Sequence, residues 1–147
     1  MIAGRNYAGK DTVGMLIEHF LDDHSLPHIE VSSPIGDVIE KIRQAEAASA
    51  RAVIVRGGRS VEDLEILRAY EGWLIGVEAP ALVRYKRAKP QHKHNGIPWR
   101  DFVQLDRAAT EGGIDALLAR ADIVFRNGTS SLVPLYDQVR AWLPEDL

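Results

Sequence analysis

The sequence predicts an α/β protein, a three-layer α/β/α sandwich built on a mostly parallel, five-stranded sheet. Short runs rich in Val and Ile alternate along the chain with longer stretches of helical period, and this alternation is typical of parallel sheets. Two of the runs, AVIV at 52–55 and WLIGV at 73–77, are apolar almost throughout. Such runs fit strands that helices cover on both faces.

Four of the five predicted strands are short apolar runs bounded by Gly, Pro, Ser or Asn. They are residues 29–32, 52–55, 73–77 and 122–125. The remaining strand has to precede Gly4, where only three residues are available. We therefore expect either an unusually short first strand or a natural N-terminus that extends further.

The predicted helices have apolar residues at helical spacing and recognisable starts. They are residues 10–21, 34 to about 50, 61 onward, 81–87, 102–110, 114–121 and 131–143. Ser33-Pro34 has the form of an N-cap followed by proline at the first helical position. Ser60 and Asp63 resemble a capping box, with Asp in place of the usual Glu or Gln. Pro80 opens the next helix, and Pro134 must lie in the first turn of the last one.

Composition fits one soluble globular domain that spans residues 1–147. The chain is 46% hydrophobic and 27% charged, with a net charge of −3, which gives no global reason to expect nucleic-acid binding. It has no cysteine, so disulfides and thiolate metal sites are excluded and a reducing compartment is favoured. No apolar run approaches the roughly 20 residues that span a bilayer. We expect a cytoplasmic protein that binds neither membranes nor nucleic acid.

The stretch GRNYAGKDT has the spacing of a phosphate-binding loop. Gly4 and Gly9 stand five residues apart, and Lys10 opens a predicted helix. Glycines permit the tight turns that aim backbone N–H groups at phosphate oxygens, and the helix adds its positive end. The Lys10 ammonium can then reach the β- and γ-phosphates. Asp11 replaces the usual Ser or Thr, and either Asp11 or Thr12 is expected to help hold Mg²⁺.

The residues predicted to bind ATP through this loop are Gly4, Arg5, Asn6, Tyr7, Ala8, Gly9, Lys10, Asp11 and Thr12. The alternative is a glycine-rich turn before an ordinary amphipathic helix. The surrounding α/β pattern favours the phosphate loop, because such a loop connects a strand to a helix.

Four segments together resemble the P-loop nucleotide kinases, in particular small kinases of the nucleoside-monophosphate and dephospho-CoA type. They are GRNYAGKDT, VIVRGGRSVEDLEILR, VEAPALVRYKR and ADIVFRNGTSSLVPLYDQV, in the family's order and across nearly the whole chain. The resemblance implies a P-loop NTPase fold, ATP and Mg²⁺ as cofactors, and a nucleotide-like substrate. The phosphate loop is the most specific of the four matches.

In that family an Arg-x-x-Arg helix leads into a mobile lid. The resemblance makes Arg84 and Arg87 candidate catalytic phosphate clamps at the start of a short basic lid at about 84–100. That segment holds six Lys or Arg residues and no acid, so it concentrates positive charge in an acidic chain. The alternative is a solvated basic loop.

The Asn-Gly-Thr turn of the family lies near the adenine. The resemblance therefore makes Asn127 and Gly128 candidate ATP-binding residues, with Thr129 beside them. The alternative is a plain strand-to-helix turn in which Thr129 or Ser130 is the N-cap.

Three features depart from the family pattern. Arg56 stands where the third strand is expected to end in a metal-binding acid, and it would repel the metal or replace part of its charge. After the second strand, EVSSP offers Ser32 and Ser33 as poor bases, with Glu30 expected to be buried or on the wrong side. The acceptor-binding segment is also short, with a single helix in its place.

The sequence thus predicts an ATP-dependent phosphotransferase, a nucleoside-monophosphate-type kinase that transfers the γ-phosphoryl group to a small phosphorylated acceptor. Lys10 would neutralise developing charge, and Arg59 and Ser33 would bind the acceptor. The alternative is a nucleotide-binding module of the same fold with weak or no catalysis, which Arg56 and the short acceptor region motivate. A homodimer in which a neighbouring chain supplies the missing acid is a further possibility.

Overall fold

The structure is a computed structural model that describes residues 1–31, 35–56, 60–91 and 96–143. Within them, strands alternate with helices as predicted. The strands are β1 (Ile2–Gly4), β2 (His28–Val31), β3 (Ala52–Val55), β4 (Ile75–Glu78) and β5 (Ile123–Arg126). The helices are α1 (Lys10–Asp23), α2 (Ile35–Ala47), α3 (Val61–Arg68), α4 (Ala81–Gln91), α5 (Trp99–Glu111), α6 (Ile114–Leu118) and α7 (Val133–Trp142).

Every described strand pairing is parallel, but the strands form two ladders. One has the order β1-β4-β5 and the other pairs β2 with β3. A single parallel bridge between Ile2 and Arg56 joins them, so the strands follow the order β2-β3-β1-β4-β5. The predicted single five-stranded sheet is not confirmed. The reason is the length of β1, whose three residues all pair with β4 and meet the end of β3 at one position.

Two apolar clusters lie on opposite faces of these strands, which gives three layers. One cluster joins α1 and α7 through residues such as Val13 and Leu135. The other joins α2, α3 and α6 through residues such as Val38 and Leu64. Neighbouring strand residues divide between them: Ile54 lies in the first cluster and Val55 in the second. This period of two is expected of strands buried on both faces.

Local signals placed several helix ends correctly. Ser60 Oγ accepts a hydrogen bond from the Asp63 N–H at 3.1 Å, and the Ser60 N–H donates to the Asp63 carboxylate at 3.3 Å, so the capping box is confirmed. Pro134 lies in the first turn of α7, as predicted. Of the predicted basic lid at about 84–100, α4 includes the residues up to Gln91 and α5 begins at Trp99, and residues 92–95 lie outside the described residues.

In the described part of the chain, no helix combines the length and the apolar character that a membrane crossing requires.

Candidate active site

The phosphate-loop stretch curls between the end of β1 and the start of α1. Tyr7 and Gly9 both have positive φ, at 62° and 101°, and the Ala8 N–H donates to the Arg5 carbonyl at 3.2 Å. Gly9 is the N-cap of α1 and has no side chain with which to cap the first N–H groups. The N-terminal end of α1 is thereby left to an external anion, which its dipole favours.

Lys10 lies across the mouth of this loop. Its ammonium donates to the carbonyl oxygens of Gly4 at 3.0 Å and Arg5 at 3.2 Å. The side chain therefore folds back over the concave side of the loop, where phosphate oxygens would accept the same hydrogen bonds.

The loop opens into a cleft of about 1060 Å³ between α1, α4 and the connection from β5 to α7. Its described charged lining consists of three cations, Lys10, Lys86 and Arg87, and one acid, Asp11. The predicted residues Asn6, Tyr7, Gly9, Lys10, Asp11, Thr12, Asn127 and Gly128 all line it. The cleft is therefore positively charged and large enough for a nucleotide.

Arg87 connects the two sides of the cleft. Its guanidinium donates to the carbonyl oxygens of Ala8 at 3.3 Å, Asn127 at 3.0 Å and Thr129 at 3.0 Å, and to the Asn127 side chain at 3.0 Å. Burial lowers the pKa of Arg87, although a guanidinium stays charged at neutral pH. No carboxylate pairs with it in the described residues, so its positive charge is not neutralised by an acid there.

Asn127 holds the phosphate loop close to the connection between β5 and α7. Its Nδ2 donates to the Ala8 carbonyl at 2.9 Å, and the residue is buried. A Cβ at Gly9 would overlap this amide. The close approach of this amide, together with the positive φ, explains why residue 9 is a glycine.

Arg84 lies elsewhere. Its side chain is 4% exposed, and its guanidinium donates to both carboxylate oxygens of Asp106 and, through Nε, to the Ala79 carbonyl at 2.9 Å. The guanidinium also stacks over the Phe102 ring, 5.4 Å from its centroid. Arg84 does not line the cleft, and its charge is neutralised.

Arg5 also points away from the cleft, although it belongs to the phosphate loop. Its guanidinium contacts the Asp115 carboxylate at 2.6 Å and donates to the Asp106 carbonyl at 2.9 Å. Asp106 therefore contacts Arg5 and Arg84 together, and hydrogen bonding from Arg84 is the main reason that the pKa of Asp106 is lowered. These contacts join the phosphate loop to α4, α5 and α6.

Arg56 is held by two acids beside α1. Its Nη2 lies 2.7 Å from the Glu18 carboxylate, and its Nε lies 2.8 Å from the Glu30 carboxylate. The Nε–H forms no hydrogen bond with Glu30, so this second contact is an ion pair alone. Gly14 leaves room for the guanidinium. The Arg56 charge is thus neutralised outside the cleft. Glu30 is half-exposed rather than buried, and a hydrogen bond with Glu18 raises its pKa.

Asp11 and Thr12 are the oxygen donors that fit Mg²⁺. Both line the cleft in the first turn of α1. In the described ranges, no group of three His, Cys, Asp or Glu side chains is close enough to form a metal cage. Mg²⁺ is usually held by one or two protein oxygens together with substrate phosphates and water, so the two side chains suit a metal that arrives with a nucleotide.

Two predicted acceptor residues, Ser33 and Arg59, lie outside the described residues. The cleft also contains residues that the sequence analysis did not single out. Lys86 is one of these residues, and its place in the basic segment at 84–100 is the sequence signal that could have identified it. The others are Val83, Leu105 and Leu132, which come from three separate elements and have no common sequence signal.

No family model matches the chain, and no curated protein matches it. Among the crystal structures that are similar to it, the following three each have 16% identity over 95% of this chain. Shikimate kinase from Bacteroides thetaiotaomicron has a TM-score of 0.62 with 93% of that chain covered, and TT1252 from Thermus thermophilus has 0.56, also with 93%. Shikimate kinase from Aquifex aeolicus vf5 has 0.52 with 92%. The chain therefore shares the fold of these structures, and a shared fold does not by itself show a shared activity.

Proposed function

We propose that the protein is an ATP-dependent phosphotransferase that transfers the γ-phosphoryl group of ATP to a small phosphorylated acceptor of the nucleoside-monophosphate class. The observation that carries this proposal is the cleft itself. A phosphate loop and the open N-terminus of α1 face a cavity whose described lining has three cations and one acid. Kinases of this fold act mainly by positioning phosphates and neutralising their charge.

The triphosphate would lie along the loop, with Lys10 and Arg87 on either side of it. Lys10 would exchange its two loop carbonyls for phosphate oxygens and stabilise charge that develops during transfer. Arg87 is already held by backbone carbonyls of both cleft walls, so little ordering is needed for it to bind phosphate. Lys86, which lies on α4 with Arg87, adds a third cation.

The nucleobase would lie toward the connection between β5 and α7. Val83, Leu105 and Leu132 give that part of the cleft apolar surface, and Asn127 and Gly128 border it. Apolar side chains with a few polar groups beside them are typical of pockets for small ligands.

Asp11 and Thr12 would hold Mg²⁺, which when bound supplies charge neutralisation to the β- and γ-phosphates. Arg84 would act as a positioning residue. Its pairing with Asp106 fixes α4, and thereby orients Lys86 and Arg87.

The small number of acids in the described lining of the cleft favours a phosphorylated acceptor. Asp11 is the one carboxylate in its described lining, and it is already proposed for the metal. A hydroxyl acceptor benefits from a general base, whereas a phosphate acceptor is already an anion and requires mainly cations. Arg59, with Ser33, is proposed to bind that phosphate.

The test is a coupled assay with ATP and Mg²⁺ against a panel of ribonucleoside and deoxyribonucleoside monophosphates, with shikimate included. We expect turnover on at least one monophosphate, and Lys10→Ala should abolish it and weaken ATP binding. Lys41→Ala, on the exposed face of α2, is the matched control. Turnover on shikimate alone would contradict the acceptor class. Tight ATP binding without turnover on any acceptor would favour the inactive module, and unchanged ATP affinity in Lys10→Ala would contradict both functions.

A further inference from the structure

A second cavity lies beside the nucleotide cleft, at the carboxyl ends of β4 and β5. It has a volume of about 480 Å³, and the Pro80 and Leu118 side chains give it apolar walls. We call it the strand-end cavity. It shares Gly128 with the cleft and no other described lining residue. The carboxyl ends of parallel strands are the usual place for ligands in sheets of this kind.

Two of the arginines that line this cavity are already neutralised. Arg84 is paired with Asp106, and Arg5 with Asp115 and Asp106. These two cations and two anions balance. This side of the cavity therefore favours neither an anionic nor a cationic ligand.

The remaining charged groups of the cavity are Glu78 and Arg126. They are register partners on β4 and β5, and both are exposed. In the part of the chain that the structure describes, neither side chain forms an ion pair or a hydrogen bond, although neighbouring strands lie only about 4.8 Å apart. The Gln138 side chain binds the backbone N–H and carbonyl of Arg126, at 2.8 and 3.0 Å. One acid and one base are thereby held side by side without contacting each other.

We propose that the strand-end cavity binds a zwitterion of the α-amino-acid class that carries an apolar side chain. Arg126 would bind the carboxylate, Glu78 the ammonium group, and Pro80 and Leu118 the side chain. A simple anion would meet the Glu78 charge, and a simple cation would meet Arg126. A molecule whose two opposite charges are attached to one carbon matches both, because the two side chains start from adjacent strands.

This proposal is independent of the phosphotransfer proposal, because its test measures binding alone. The experiment is calorimetric titration of the full chain with L-leucine and L-phenylalanine. Two analogues accompany L-phenylalanine: 3-phenylpropionate, which lacks the amine, and 2-phenylethylamine, which lacks the carboxylate. We expect each analogue to bind about tenfold more weakly than L-phenylalanine, since each loses one charged contact.

The variants Glu78→Gln and Arg126→Gln should each weaken L-phenylalanine binding about tenfold. In Glu78→Gln the difference between L-phenylalanine and 3-phenylpropionate should disappear. The matched controls are Glu46→Gln and Arg43→Gln, exposed on α2, which should bind like the unmodified chain. The proposal is overturned if neither amino acid binds at millimolar concentration, if an analogue binds as tightly as L-phenylalanine, or if both cavity variants behave like the controls.

Discussion

The guanidinium of Arg84 donates hydrogen bonds to both carboxylate oxygens of Asp106, a residue 22 positions further along the chain. This pair joins α4 to α5. Because Asp106 also contacts Arg5, the phosphate loop is held in the same network. The pair thus links the helix that carries Lys86 and Arg87 to the loop that would bind phosphate.

Removing the Asp106 carboxylate should destabilise the protein. In Asp106→Ala, the nearly buried Arg84 charge loses its main partner, and leaving such a charge unpaired costs about 3 kcal/mol. Urea denaturation monitored by circular dichroism measures the change in the free energy of unfolding. The control is Asp137→Ala, an exposed acid on α7, for which we expect a change within about 0.5 kcal/mol. Equal stability of the two variants would show that the pair does not hold α4 in place.

The same pair predicts a pH dependence. Hydrogen bonding from Arg84 lowers the pKa of Asp106, so the unfolded chain takes up this proton at a higher pH than the folded protein does. The stabilisation is therefore complete above the ordinary Asp pKa of about 3.9 and is lost as the pH falls through the folded value. We expect the stability difference between the unmodified chain and Asp106→Asn, measured in urea, to shrink below about pH 4. A difference that stays constant from pH 6 to pH 3 would contradict this.

Short-range signals predicted much of the fold, and long-range pairings limited the prediction of the site. The Ser60–Asp63 capping box and the loop from Gly4 to Lys10 are local patterns, and both lie where the sequence places them. The structural position of Arg84 depends on Asp106 in a different helix, which no local spacing reveals. Arg84 and Arg87 look equivalent in the sequence, and residues three positions apart lie on neighbouring parts of one helix face. Arg84 nevertheless pairs with Asp106 of α5, whereas Arg87 lines the cleft.

Lys86 should contribute to nucleotide affinity, whereas Lys89 on the same helix should not. Lys86 lines the cleft, and Lys89 lies 5.0 Å from the centre of the Tyr85 ring. We expect Lys86→Gln to weaken ATP binding about fivefold, because an exposed charge contact contributes about 1 kcal/mol. Lys89→Gln is the matched control. Fluorescence titration with a labelled ATP analogue measures the affinity of each variant. Equal affinities would show that Lys86 does not contribute to nucleotide binding.

Arg56 should control the protonation of Glu30. The hydrogen bond with Glu18 raises the pKa of Glu30 above its ordinary 4.5, while Arg56 opposes the rise. Without Arg56 the pKa rises further, and an acid whose folded pKa exceeds its unfolded value loses stability as the pH rises between the two. The melting temperature of Arg56→Gln should therefore fall more steeply above about pH 4.5 than that of the unmodified chain. Parallel melting curves, like those expected for the control Arg43→Gln, would contradict this.

Gly9 should be irreplaceable for a reason beyond its backbone angle, and Gly113 provides the comparison. Both have positive φ, at 101° and 82°, but a Cβ at Gly113 meets nothing within 4 Å, whereas one at Gly9 would overlap the Asn127 amide. We expect Gly113→Ala to cost about 1 kcal/mol of unfolding free energy through backbone strain, and Gly9→Ala to cost about 2 kcal/mol more through overpacking.

The double variant Gly9→Ala with Asn127→Gly separates the two causes. Removing the amide should relieve the overlap, so the added cost of the alanine should fall toward that seen at Gly113. ATP affinity should stay low, because Asn127 also holds Ala8 and helps to orient Arg87. A full additive loss of stability in the double variant would mean that the alanine disturbs the loop itself rather than its contact with Asn127.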